Sequence, residues 1–158
     1  MKLYIVFYHP KNPLNLLDVA SIAAWKRAVL YVVARPGLDP SMLIREPPPR
    51  LRMKILLSLE ELAAELGDDV FYLVLETYGT VLLSEVDLSS MEKLALVLGA
   101  EDYGIPPEEV GKLPKERTVV ARIPSTVQGM SYNVASTLAM AVYEVERQRA
   151  LAPRGGTP

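Results

Sequence analysis

The sequence predicts an α/β fold, a mainly parallel sheet flanked by helices, and three observations carry that expectation. Short apolar runs of strand length alternate with stretches whose apolar residues recur at helical spacing. Gly and Pro, 9 and 13 residues, separate those runs rather than fill them. Of the 158 residues, 50% are hydrophobic and 23% charged, ample for the core of one domain and too apolar for a disordered chain.

Residues 3–8 (LYIVFY) read as a buried strand, and His9 to Pro13 as the turn that leads to a helix over 16–26. Residues 28–34 form a second strand. From Arg35 to Arg52, Pro36, Gly37, Pro40 and the triple Pro47, Pro48, Pro49 exclude both a helix and a central strand. That segment reads as one long loop, and loops beyond about 12–15 residues are commonly functional. Ser58 and Glu61 make a capping box for a helix over 59–66 that Gly67 stops. Strands follow at 70–76, 95–99 and 118–123, a short helical turn starts at Pro106, and an amphipathic helix spans 131–149. The expectation is one domain over 1–149 with a flexible tail at 150–158.

The chain has no Cys, which excludes disulfides, thiolate zinc sites and a Cys nucleophile, and its single His leaves no metal site to expect. The apolar run before His9-Pro10 is shorter than that of a signal peptide, and no run approaches the roughly 18 residues of a membrane helix. A soluble, cytoplasmic protein with no membrane partner is expected. The net charge of −2 argues against binding nucleic acid by bulk charge. Yet residues 26–54 hold seven basic residues against two acidic, a net of +5, and 55–116 hold three against 14, a net of −11. A local basic surface can still attract phosphates.

Sites in parallel sheets lie beyond the carboxyl ends of the strands. Here that edge includes 76–79, 99–104 and 123–133, where glycine and polar residues interrupt the apolar pattern. Leu-Val-Leu-Gly99-Ala-Glu101-Asp-Tyr-Gly104-Ile-Pro is a strand running into a turn where backbone can approach a ligand, with a carboxylate at the tip. Alone it reads first as an ordinary strand-to-helix turn, and it has neither the Lys-Ser/Thr of a P-loop nor a dinucleotide fingerprint. In Ile123-Pro-Ser-Thr-Val-Gln128-Gly-Met130-Ser131-Tyr-Asn133-Val-Ala-Ser, a strand leaves into a polar loop and then a long helix. Ser131 is accounted for as an N-cap. Asn133, with Gln128 and Ser131 near it, offers donors and acceptors for a sugar hydroxyl or a carboxylate.

Taken together, these two segments resemble the second and third motifs of the SpoU family of the SPOUT superfamily, RNA 2′-O-ribose methyltransferases that use S-adenosylmethionine. The order and separation of the segments match, as does Tyr143-Glu144 after the third, and the length resembles the smallest members, which have no added RNA-binding domain. The resemblance implies a deep trefoil knot at the C-terminal end of the α/β sheet, a cofactor pocket in its loops and a homodimer packed through the last helix. By sequence topology alone a knot is not expected. The resemblance further places S-adenosylmethionine at Leu75, Gly99, Gly104, Ile123, Met130 and Ser131, and gives Glu101 the orientation of the third-motif loop. Asn15, Ser131 and Asn133 are implied to position the ribose or the cofactor. RNA, tRNA in particular, is the implied substrate, with phosphate contacts from Lys26, Arg27, Arg45, Arg50 and Arg52.

One departure stands out. The family's first motif has Asn followed six residues later by Arg, which helps to activate the ribose hydroxyl, whereas Asn15 here is followed by Ser21. Ser supplies no charge for a developing oxyanion. Lys26 or Arg27 could serve from the same helix, or a basic residue of the 35–54 loop could enter a partner's site. Alternatively, transfer is lost and the chain only binds cofactor or RNA.

Overall fold

A computed structural model describes residues 1–153. Among these, strands β1 (Lys2–Tyr8), β2 (Val29–Val33), β3 (Arg52–Leu56), β4 (Phe71–Leu75), β5 (Val81–Leu82), β6 (Lys93–Leu98) and β7 (Thr118–Arg122) form one sheet in the order β3-β2-β1-β6-β4-β7-β5. Every pairing is parallel. Strand β6 is inserted between β1 and β4, so Val6 stands level with Tyr31 on one side and Val97 on the other.

The three central strands are buried on both faces, which is why their sequences are near-continuous apolar runs rather than alternating ones. Alternate residues nevertheless serve different layers. Ile5, Phe7, Leu73 and Leu96 pack with Leu16, Val19 and Ala20 of α1 (Pro13–Trp25) and Leu138, Ala141 and Val145 of α4 (Val134–Leu151). Val6, Tyr72, Val74 and Val97 pack on the opposite face with Leu59 and Leu62 of α2 (Leu59–Leu66). Half of the expected capping box forms: Ser58 Oγ accepts from Glu61 N (3.2 Å), but the Glu61 carboxylate accepts from Leu57 N (2.8 Å) in place of Ser58 N. A one-turn helix, α3 (Pro107–Val110), follows Pro106.

The structure corrects several boundaries. The long loop ends at β3, a strand the sequence reading did not assign, whose residues Arg-Met-Lys-Ile-Leu are largely exposed at the sheet edge, where charged side chains discourage pairing with another chain. The two-residue β5 closes the other edge. Helix α1 begins at Pro13 rather than residue 16, since Pro suits the first helical position and Asn12 caps it through Leu14 N (2.9 Å). Helix α4 begins at Val134 and continues to Leu151, past the expected boundary at 149. Of the expected tail, residues 154–158 lie outside the described residues. No helix among the described residues is long and apolar enough to cross a membrane.

Candidate active site

The carboxyl ends of β4, β6 and β7, together with the first turns of α1 and α4, enclose a cleft of about 520 Å³. Leu75, Gly99, Gly104, Ile123 and Met130 line it, and so do Asn15, Glu101, Ser131 and Asn133. Residues scattered over 119 positions of sequence therefore meet at one sheet edge, where a parallel fold leaves strand ends and loops free to hold a ligand.

One wall is the turn after β6. Ala100 and Gly104 exchange backbone hydrogen bonds (3.0 and 3.3 Å), which folds residues 100–104 back on themselves. Gly104 adopts φ +63°, a conformation that L side chains rarely take. A Cβ on Gly99 would stand 2.8 Å from Gly104 Cα, so only glycine permits this closeness. Behind the turn, the Glu76 carboxylate accepts from Ile105 N (2.7 Å), and the Tyr78 hydroxyl donates to Ile105 O (2.5 Å). Burial pushes the Glu76 carboxyl above its usual range, opposed by the N–H groups of Ile105 and Thr77, and lifts the Tyr78 phenol to about 12. Sequence reasoning did not single out Glu76 as a site residue. Its signal is a carboxylate directly after a buried strand at the functional edge.

The second wall joins α1 and α4. Asn133, rather than Ser131, caps α4: its Oδ1 accepts from Ala135 N (2.9 Å) and Ser136 N (3.3 Å), while Nδ2 donates to Asn15 Oδ1 (2.9 Å). The Ser131 hydroxyl makes only a long bond to Tyr132 O (3.4 Å), so it remains available to a ligand. Glu101 does not reach the third-motif loop. It accepts from Lys11 N (3.0 Å) and Asn12 N (3.0 Å), and so ties the turn after β6 to the start of α1.

At the open side, Arg35 makes a two-pronged ion pair with Asp102 (3.0 and 2.7 Å) and donates to His9 O (3.0 and 3.3 Å). That pairing holds the Asp102 carboxyl far below the usual carboxylate range. The other expected cations lie elsewhere. Lys26 pairs with Glu146 on α4, and the Arg52 guanidinium bonds to Arg27 O at the amino ends of β2 and β3, the edge opposite the cleft. Arg45 and Arg50 are exposed on the intervening loop. Ser21 bonds to Leu17 O (2.8 Å) and does not line the cleft. Among the described residues, no Lys or Arg lines it either.

A family model, the SpoU rRNA Methylase family, matches residues 2–143. The chain belongs to this family. A Listeria innocua protein provisionally named a tRNA (cytidine(34)-2′-O)-methyltransferase is 28% identical to this SpoU chain over 152 residues, covering 92% of it and 88% of the relative. A crystal structure of a Bacillus anthracis protein, provisionally an RNA methyltransferase, superposes with TM-score 0.78 at 25% identity over 99% of both chains. The SpoU methyltransferase AviRb of Streptomyces viridochromogenes, solved with the cofactor AdoMet, shares the fold at TM-score 0.70 and 20% identity, covering 94% of this chain and 61% of its own.

Proposed function

We propose that this SpoU protein transfers a methyl group from S-adenosylmethionine to a ribose 2′-hydroxyl of tRNA. The observation that carries the proposal is the junction of Asn15 and Asn133 (2.9 Å) on the wall of the cleft that the turn after β6 also lines. The relative named for cytidine 34 makes nucleotide 34 the first target to test.

The residues fit the cofactor. The cleft volume lies within the range of small-molecule sites, and Leu75, Ile123 and Met130 offer apolar surface beside Gly99 and Gly104, where backbone can approach a flat ring. When bound, S-adenosylmethionine would supply an electrophilic methyl: the ribose oxygen would bond to it as the C–S bond breaks, releasing S-adenosylhomocysteine, and the hydroxyl proton would pass to water. Asn133 and Ser131 carry the polar groups that orient the ribose, and Asn15 fixes the Asn133 amide. Glu101 acts through backbone, holding the Lys11–Asn12 turn against the cleft.

The charge that stabilises the developing oxyanion comes from outside the subunit's own cleft. Lys26 stands 11 residues beyond Asn15 on α1, about 16 Å along the axis, and is engaged by Glu146. A second subunit is the source this reading favours. Helix α1 leaves Leu14 (70% exposed) and Trp25 (75%) open along a stripe that also carries Asp18 and Ser21, and α4, which packs beside α1, leaves Tyr143 (66%) open. In this reading a dimer forms through these residues, and Arg45 or Arg50 of the partner's loop supplies the charge. A trefoil knot fits the same reading, since β6 and β7 are both inserted between strands that precede them in sequence. We assign the chain to a single cytoplasmic methyltransferase domain.

The test is calorimetric titration with S-adenosylmethionine, followed by labelled-methyl transfer to unmodified tRNA. Binding with transfer is expected. Binding without transfer favours the alternative that Ser21 motivates, a homologue that binds cofactor or RNA only. No binding removes the cofactor from the cleft.

A further inference from the structure

Tyr103 is the most exposed aromatic on the cleft wall, at 48%, and yet its ring is fixed on two sides. Its hydroxyl lies 2.6 Å from His9 Nδ1, with the two rings edge to face at 87°. The Arg35 guanidinium sits over the ring, 4.7 Å from its centroid. Both props are themselves held. Arg35 is locked by Asp102 and the His9 carbonyl, and the His9 ring lies flat on Tyr8, 3.7 Å between centroids at 14°.

His9 reaches this position at φ +50°, a conformation that non-glycine residues adopt only where their surroundings hold them. Contacts that served packing alone would bury the ring. Instead they set its orientation and leave it open to the cleft. Leu75, deep in the same cleft, is only 6% exposed, so Tyr103 stands at the mouth. Lys11, its side chain 62% exposed, lies close by at 3.7 Å from Asp102, so at this mouth Lys11 and Arg35 stand against Asp102 and Glu101 and the charges balance.

We infer that Tyr103 is a stacking platform for the nucleobase of the ribonucleotide whose ribose enters the cleft. Every base has a flat π-face, and a ring already held in place loses little freedom on binding it. The inference rests on the methyl-transfer reading of the same cleft. It gives a role to a residue of the second motif that the resemblance leaves unassigned: position 103 contributes binding through its ring, not through its hydroxyl.

The test compares Tyr103→Ala, Tyr103→Leu and Tyr103→Trp with the native protein. Affinity is measured for in vitro transcribed tRNA and, separately, for S-adenosylmethionine. The expected result is a roughly tenfold loss of tRNA affinity in the Ala and Leu variants, the size of one base–aromatic stack, with near-native affinity in the Trp variant and unchanged cofactor affinity in all three. Unchanged tRNA affinity in the Ala and Leu variants overturns the inference. A loss confined to S-adenosylmethionine also overturns it, because the ring would then serve the cofactor's adenine. If the native protein binds tRNA without methylating it, the methyl-transfer reading fails while the stacking comparison keeps its answer.

Discussion

The side-chain amide of Asn133 donates to Asn15 Oδ1 at 2.9 Å, linking the first turn of α4 to the first turn of α1 across 118 positions of sequence. The same side chain caps α4, so one residue both starts a helix and fixes the polar wall of the cleft. Asn133→Ala removes the cap and the link together. The expected cost is about 2 kcal/mol, roughly 1 from the cap and 1 from the bond, which for a chain of this size lowers the melting temperature by about 4–8 °C. Asn133→Asp keeps the cap acceptors and sets a carboxylate against Asn15 Oδ1. It should retain most of the stability and lose methyl transfer; a fully active Asp variant removes the link from the site.

Gly99→Ala tests the close approach at the turn. The added Cβ meets backbone of Gly104 at 2.8 and 2.9 Å, and backbone cannot swing aside as a flexible side chain can. Calorimetry should show S-adenosylmethionine affinity reduced at least tenfold, while thermal unfolding records a loss of about 1–3 kcal/mol. Native affinity in this variant would sink the assignment of the turn to the cofactor.

Glu76 gives a pH dependence whose sign is determined. Because burial raises its pKa, the folded protein holds that proton more tightly than the unfolded chain. Its contribution to stability is present below the ordinary value of 4.5 and is lost as pH rises through the raised value. Glu76→Gln cannot ionise. The melting temperature of this variant minus that of the native protein should therefore increase with pH across that window and level off above it. A difference that stays constant from acid to neutral pH counts against a buried, charge-averse carboxyl.

Arg45→Ala with Arg50→Ala addresses the loop. If both contact phosphates, tRNA affinity falls and the slope of log K against log salt shrinks by about 1.4–1.8. An unchanged slope takes the loop out of the RNA surface. Arg52 is best tested apart, since its guanidinium bonds to Arg27 O and its loss also disturbs the sheet edge.

Trp25→Glu places a charge on the exposed α1/α4 face. Light scattering at micromolar concentration should give the mass of two chains for the native protein and of one for the variant. A native monomer removes the partner as the source of the missing cation.

The sheet was largely legible because its central strands are buried on both sides: residues 3–8, 70–76 and 95–99 are apolar runs that no exposed element would need. Strand β3 was not, since its alternation, Leu51-Arg52-Met53-Lys54-Ile55, is short and follows directly on a loop broken by three prolines. In the cleft, Gly99 and Gly104 were legible as a turn. The anchoring of Glu101 was not, because its partners are the backbone N–H groups of Lys11 and Asn12, and backbone carries no signature in sequence. Arg35 was hidden for a related reason: only the fold brings it within 2.7 Å of Asp102.

The insertion of β6 between β1 and β4 also dictates the order in which this chain can become a protein. Strand β1 is made first, yet one side of its ladder is residues 93–98, so the middle of the sheet stays open until more than half of the chain has been synthesised. At ribosomal speeds of about 5–20 residues per second, that interval lasts several seconds. During it, two apolar strand edges stand unpaired and competent to join other chains. Such long-range parallel closure is slow by topology alone, so this protein should fold more slowly, and depend more on chaperones at high expression, than a helical protein of equal length and stability.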